Sequence, residues 1–490
     1  MAKAWSLNEI AKHNAASDCW VIIDNKVYDV TEFLSLHPGG EQIILKYAGR
    51  DATAAYKPIH PEDALEKSLP KEKHLGFVDA NAIRELQQSD TNRKQTKDEL
   101  RMERAKASKL PLGRILTLQD MEDVARDVLS YKANAYYSSA ADDQITHTEN
   151  VRAFSRFFFH PRVLRTVSQC SPATKILGCR SSLPIFVSSA ALAKLGHPLG
   201  ETNITRGAGR TGVIQMVSTN ASFSASEIYA ARVSPTQPLF FQLYKKRDDS
   251  EAEKLVQEVE ALGYNAIFLT VDAIVAGRRD RDIKAPFALE DQEREGTKQQ
   301  PYVEGPQEEE GHTLGTSGAL VAGNDVDMTW EKTIPWLRSV TKLPIVIKGI
   351  QCVADAVLAA ETGVDGILIS NHGGRQLEYS LPSIEVLYRL RIQRPDIFQR
   401  IEVYVEGGAR RGTDILKALC LGATAVGMGR PFLYAQSAYG DAGVVKIIRI
   451  LEQEIVYGMR LLGASSVRDL VPEMVERVDW QPELPVLAKL

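Results

Sequence analysis

Residues 365–374 read DGILISNHGG, and they decide the fold. The small and apolar run Gly366–Ile369 is of strand length, too short for a helix, and it breaks at once into polar residues and glycine. An apolar run without alternation marks a strand buried on both faces. The same pattern recurs on either side. Upstream it reads PIFVSSAAL (184–192), GVIQMVSTN (212–220), PLFFQLY (238–244), AIFLTVDA (266–273) and PIVIKGI (344–350). Downstream it reads IEVYVEGG (401–408) and ATAVGMGR (423–430). Amphipathic helical segments separate the runs. Eight such strands predict an α/β fold with a parallel sheet, and eight closes a (β/α)8 TIM barrel of about 250 residues. An open doubly wound sheet is the alternative, and the count favours the barrel.

The chain of 490 residues exceeds one ordinary core, so two domains of unequal size are expected. A composition of 44% hydrophobic and 25% charged residues with net charge −4 is that of a globular protein without a basic face for nucleic acid. A small anionic substrate would need a local cluster of Arg or Lys. The odd number of cysteines (Cys19, Cys170, Cys179, Cys352, Cys420), none in a C-x-x-C pair, argues against a secreted disulfide framework and predicts reduced, buried thiols. No apolar run reaches the roughly 18–20 residues of a membrane helix. MAKAWSLNEI at the start lacks the features of a signal or transit peptide. A soluble cytoplasmic protein is expected; a presequence trimmed before Met1 would instead suit the mitochondrial intermembrane space.

Composition divides the chain. Residues 1–80 mix strand-like pieces (20–23, 27–30) with short helical ones, as in a small α+β domain. Residues 81–110 are charged and almost free of aromatic side chains, a solvated helix or hinge. The barrel is expected over 111–475 and a tail over 476–490. Between the fourth and fifth strands, the polar stretch 287–325 reads as a mobile, protease-sensitive loop over the active site, with plain disorder the alternative.

Polar residues gather at the C-terminal ends of the strands: Ser218, Gln242, Tyr244, Thr270, Asp272, Lys348, His372 and Arg375. Barrels build active sites on that face. The seventh and eighth strands end in Gly407-Gly408-Ala409-Arg410 and Gly427-Met428-Gly429-Arg430, where glycine lets backbone N–H groups approach a phosphate at a helix N-terminus and arginine adds charge. No G-x-G-x-x-G follows an early strand, which favours a phosphate-bearing cofactor other than a nicotinamide. In the segment 370–377, SNHGGRQL, His372 can take a proton from a hydroxy acid and Arg375 can clamp its carboxylate. In the first 80 residues, His37 opens a His-Pro-Gly-Gly turn and His60 follows 23 residues later, a pattern able to offer one imidazole to each face of a haem. Phe33, Leu34, Ile43, Ile44, Leu45, Tyr56 and Ile59 could line such a slot. His13, His147, His160, His197 and His312 receive no role.

The composite W-V-I…V-Y-D-V-T-x-F…H-P-G-G…H over residues 5–79 resembles the cytochrome b5 family. Residues 114–470 resemble the FMN-dependent 2-hydroxy-acid oxidases and dehydrogenases. The tandem is similar to the flavocytochromes b2, L-lactate dehydrogenases that reduce cytochrome c. The resemblance implies FMN and haem b as cofactors, with His37 and His60 as axial ligands. It implies His372 as base, Asp272 as its carboxylate partner, and Arg375, Arg279 and Tyr136 around the substrate carboxylate. Tyr244 would bond near the substrate hydroxyl and Lys348 would lie by the flavin N1–C2=O edge. Ser218, Gln242, Thr270, Gly407, Gly408, Arg410, Gly429 and Arg430 would hold FMN. It also implies a small 2-hydroxy-acid substrate, a one-electron acceptor such as cytochrome c, and a homotetramer.

Three positions depart from the family pattern. Ala190 stands where Thr is usual, which removes one flavin hydrogen bond, and Glu406 stands where Asp is usual beside the ribityl chain. Asn220 replaces an apolar residue near the substrate side chain, where an unpaired amide beside a methyl group costs about 1–3 kcal/mol and counts against lactate. The rival within enzymes is a hydrogen-peroxide-forming oxidase with an appended haem domain. Outside enzymes it is an electron carrier with a dead barrel.

Overall fold

The structure, a computed structural model, describes residues 3–37, 40–294 and 315–478. Pro38 and Gly39 of the turn after His37, and the middle of the polar stretch, lie outside the described residues.

Eight parallel strands close into a barrel: β1 (Ile185–Val187), β2 (Ile214–Ser218), β3 (Leu239–Leu243), β4 (Ile267–Thr270), β5 (Ile345–Ile350), β6 (Gly366–Ile369), β7 (Glu402–Glu406) and β8 (Ala425–Met428). Each lies inside one of the eight apolar runs. Pairing of Ile185 with Val426 and of Val187 with Met428 seals the last strand to the first, which excludes an open sheet.

Successive strand residues face opposite sides. Phe186, Met216, Phe240, Phe268, Val346, Leu368 and Tyr404 therefore fill the interior as one buried cluster, with aromatic centroids 5.4–6.1 Å apart. Ile176, from the hairpin Thr174–Ser181, joins this cluster at the N-terminal end, where Leu177 N–H donates to Glu402 Oε2. Two residues further along each strand the interior turns polar: Ser188, Ser218, Gln242, Thr270, Lys348, Ser370 and Glu406. The outward residues, such as Val187, Val217, Phe241, Leu269 and Ile347, pack under the helices.

The N-terminal unit is a six-stranded mixed sheet. Ala4–Trp5, His74–Val78, Lys26–Asp29, Asp18–Ile23 and Asn14–Ala15 lie in that order, with Arg50–Asp51 beside Asp18–Ile23. The charged segment after it is two helices, Ala80–Asn92 and Lys97–Ser108. The second is not a free hinge. Arg101 donates to the carbonyls of Asp127 and Leu129, and Asp98 accepts the Tyr131 N–H at 2.9 Å, so its charges cap barrel helices.

Other expectations change in detail. The flanks of the polar stretch are helical, Asp280–Arg294 and Gly315–Val321, and the Ser317 N–H donates to Asp282 across them. Val475–Arg477 pairs with Phe157–Phe159, so the start of the expected tail belongs to the folded unit. The cysteines are free, but only Cys19 and Cys420 are buried, and Cys352 is exposed at a helix start. Among the described residues no helix is long and apolar enough to cross a membrane.

Candidate active site

The polar layer inside the barrel is hydrogen-bonded across strands. Ser218 Oγ donates to Gln242 Oε1 (3.0 Å), and Gln242 Nε2 to Thr270 Oγ1 (2.9 Å). On the opposite side Lys348 Nζ and Ser370 Oγ both donate to Glu406 Oε1, at 2.6 and 2.7 Å. Burial by itself would pull the Lys348 pKa down. The charges of Glu406 and Asp272 outweigh that, so it is raised and Lys348 is a permanent cation. A β-bulge between Lys348 and Ile350 sets its direction. Gly349 there has φ +111°, and a Cβ on it would lie 2.6 Å from that of Asp272.

Above this layer His372 Nδ1 bonds Asp272 Oδ1 at 3.0 Å, and the Asp272 side chain is fully buried. His372 Nε2 is 3.4 Å from the Tyr244 hydroxyl. Burial lowers the His372 pKa while the Asp272 charge opposes the shift. Backbone strain aims the ring. His372, Gly373 and Gly374 have φ of +58°, +67° and +76°, a conformation costly for a residue with a Cβ. A Cβ on Gly374 would lie 2.6 Å from the His147 backbone nitrogen. Only glycine fits.

Two arginines converge beside the imidazole. Arg375 Nη2 donates to the Tyr136 carbonyl (2.9 Å), and its guanidinium lies 5.2 Å from the centre of the Tyr136 ring. Arg279 Nε donates to the Arg375 carbonyl (3.2 Å). Burial and the like charge of Arg375 push the Arg279 pKa down to about 9. Two such cations held together underground form a receptor for an anion.

At the far end of the cavity, Gly407 and Gly408 (φ +106° and +88°) precede the helix Gly412–Cys420, and Gly429 caps the helix Arg430–Leu462. Arg430 donates to the Gly373 carbonyl (2.7 Å), and burial lowers its pKa to about 10. Arg410 donates to Gln119 Oε1 (2.7 Å) and Glu122 Oε2 (2.8 Å).

One cavity of about 330 Å³ is lined by Tyr136, Ser218, Tyr244, Arg279, Lys348, His372, Arg375, Gly407, Gly408, Arg410, Gly429 and Arg430. Gln242 and Thr270 lie one layer beneath it, and Asp272 stands behind His372. Buried polar groups gather at it, among them Ser188 and Glu406, which face each other, His147 beside the Gly373 backbone, and Arg375, whose Nε has no protein partner. These residues fit FMN in chemistry: Lys348 would supply the positive charge its ring needs, and the late glycines with Arg430 and Arg410 would supply donors for its phosphate.

Two of the three departures, Asn220 and Glu406, resolve physically. Asn220 is not an unpaired amide: Nδ2 donates to the Leu320 carbonyl at 3.2 Å, so the penalty against lactate does not apply. Glu406 Oε1 is taken by Lys348 and Ser370, which leaves Oε2 for a ribityl hydroxyl. Four participants escaped the sequence reading. Ser370 is visible by its two-residue offset from Leu368, whereas Gln376 (Nε2 to the Asp272 carbonyl, 3.0 Å) and Glu122 carry no local signal. His147, left without a role, lines the cavity, and Arg430, burial and Arg410 drive its pKa to about 3.

In the N-terminal unit the His37 and His60 ring centres lie 6.1 Å apart. Two metal–imidazole bonds of about 2 Å, with about 1.1 Å from each nitrogen to its ring centre, fill that gap. Each Nδ1 is engaged by a backbone carbonyl, Gly40 O at 3.0 Å and Tyr56 O at 3.1 Å, which leaves Nε2 for iron. Phe33, Leu34, Ile44, Leu45 and Tyr56 belong to the apolar cluster there. Ile43 is exposed and Ile59 packs against the barrel, so neither joins that cluster. The pair fits a haem.

Comparison with known proteins finds a family for each of the two parts of the chain. Residues 125–477 match the FMN-dependent dehydrogenase family and residues 6–79 the cytochrome b5-like haem/steroid binding domain. The chain is 45% identical over 469 residues (95% of this chain, 79% of the relative) to an L-lactate dehydrogenase (cytochrome) of Wickerhamomyces anomalus. It is 44% identical over 474 residues (96% and 79%) to that of Saccharomyces cerevisiae. The recombinant flavin-binding domain of baker's yeast flavocytochrome b2 superposes with a TM-score of 0.70 at 42% identity, covering 78% of this chain and 92% of that one. A closed barrel with this cavity, behind a two-histidine slot, therefore makes the chain a member of the FMN-dependent dehydrogenase family that carries an N-terminal cytochrome b5-like haem domain.

Proposed function

We propose that the barrel (111–475) oxidises an L-2-hydroxy acid, lactate or a close relative, to the 2-keto acid. The N-terminal domain (1–80), joined through 81–110, relays the electrons to a one-electron carrier such as cytochrome c. The observation that carries this reading is the convergence of His372–Asp272, Arg375–Arg279 and Lys348 on one cavity. FMN, when bound, supplies a two-electron acceptor, and haem a one-electron relay.

Arg375 and Arg279, with Tyr136, bind the substrate carboxylate and so fix the orientation of the carbinol carbon. His372 Nε2 accepts a proton from the substrate, and Asp272 stabilises the resulting imidazolium through Nδ1–H. Tyr244 OH, beside Nε2, holds the substrate oxygen. Lys348, held as a cation by Glu406 and Asp272, would supply positive charge to stabilise FMN when it accepts electrons. Gly407, Gly408, Arg410, Gly429 and Arg430 would hold the phosphate of FMN, with Arg410 steadied by Gln119 and Glu122. A homotetramer is the assembly we assign, checked by light scattering.

Anaerobic stopped-flow mixing with L-lactate tests the reading. Flavin reduction should precede haem reduction, and His372→Ala should retain both cofactors without flavin reduction. Flavin reduction with no haem reduction would favour the peroxide-forming oxidase, and normal turnover in His372→Ala would remove the base assignment.

A further inference from the structure

The segment that carries His60 also touches the barrel. Ile59 packs against the barrel's outer core, and the Pro58 carbonyl accepts a hydrogen bond from Ser222 Oγ at 3.3 Å. Ser222, in the loop after β2, is fully buried. Its Oγ also accepts the backbone N–H of Lys194, in the loop after β1, at 3.2 Å. Glu201 ties the two loops from beneath, because Oε1 accepts the N–H groups of Ala193 (3.0 Å) and Ser222 (2.9 Å). Together they form a rigid dock under the His60 segment. At its edge, Lys67 of the haem domain reaches Glu258 of the barrel at 3.6 Å.

The Lys194 ammonium is the unusual element. It lies 3.8 Å from the centre of the Phe223 ring and, among the described residues, forms no ion pair. The Lys194 backbone is joined through Ser222 Oγ to the Pro58 carbonyl, two residues before His60, and the Glu201 carboxylate beneath the dock is the nearest acidic group there. A cation held over an aromatic face at a partly buried interface is screened less than one in water.

We propose that Lys194 is an electrostatic positioning residue for interdomain electron transfer: with the haem domain seated, its charge biases the haem held by His37 and His60 toward the ferrous state. Reduction of ferric to ferrous iron removes one positive charge, so a fixed cation nearby disfavours the oxidised form. The electron is one of the two released by hydroxy-acid oxidation, so the inference rests on the function proposed above. Docking then favours acceptance of the electron, and separation of the domains removes the bias.

Spectroelectrochemical titration of the full-length holoprotein tests this. Lys194→Met should shift the haem equilibrium toward ferric about three- to tenfold, a fall of about 30–60 mV at about 59 mV per tenfold for one electron. The flavin potential and the rate of flavin reduction by substrate should stay unchanged. Lys194→Arg should keep the parent haem potential, and about 1 M salt should shrink the gap between parent and Met variant. Ser222→Ala, which loosens the dock and keeps the charge, should lower the potential by less than Lys194→Met. An unchanged haem potential in Lys194→Met, or an equal fall in Lys194→Arg, overturns the proposal. Purified protein without a haem absorbance band would overturn the haem assignment itself, and this inference with it.

Discussion

Asp272→Asn keeps the shape of a side chain and removes its charge. In the structure Asp272 Oδ1 accepts from His372 Nδ1 at 3.0 Å, with no solvent access and no partner on Oδ2. The amide oxygen of Asn can still accept that N–H, so neutral His372 keeps its orientation. What disappears is the attraction between a carboxylate and the imidazolium formed when His372 takes the substrate's proton. A hydrogen bond to a charged group is worth about 1.5–3 kcal/mol, and each 1.36 kcal/mol is tenfold in rate, so flavin reduction should slow by about 10- to 150-fold. The loss falls in the transition state, so kcat and kcat/KM should drop together. The pH profile supplies an independent sign. His372 works deprotonated, burial already lowers its pKa, and Asp272 opposes that shift. Without the carboxylate the pKa falls further, and the acidic limb of kcat/KM moves to lower pH even as the plateau drops. Anaerobic stopped-flow of flavin bleaching across a pH series measures both. A plateau within about twofold of the parent, or an acidic limb that moves up, refutes the reasoning.

Lys348→Met strands the Glu406 carboxylate in the barrel interior. Breaking a buried pair in this way costs about 3–5 kcal/mol, seen as a lower Tm and lost flavin content, and adding Glu406→Gln should recover much of the stability. Gly374→Ala meets a positive φ and the His147 backbone at once. It should cost about 1–3 kcal/mol and abolish flavin reduction while leaving the haem spectrum intact. His60→Ala should lose haem and cytochrome c reduction yet keep the parent rate of flavin reduction, measured with an artificial acceptor.

The strands, their number and the face bearing the chemistry were legible in the sequence because those signals are local. An unbroken apolar run declares burial on both faces, and a two-residue period carries the polar set Ser218, Gln242, Thr270 and Lys348 into the interior above Met216, Phe240, Phe268 and Val346. The pair His37 and His60 was legible through the composite over residues 5–79 that resembles the cytochrome b5 family. What the polar groups do once inside was not. Lys348 finds Glu406 58 residues away, Arg410 finds Glu122 288 away, and Asn220 finds the Leu320 carbonyl 100 away, which turns an apparent liability into a satisfied amide. Likewise Ile59 looked like part of a haem slot, yet it faces the barrel and builds the dock beside Lys194. Apolar periodicity follows the chain itself, whereas the charge state and partner of a buried polar atom depend on which distant segments displace its water. Only the closed tertiary structure decides that.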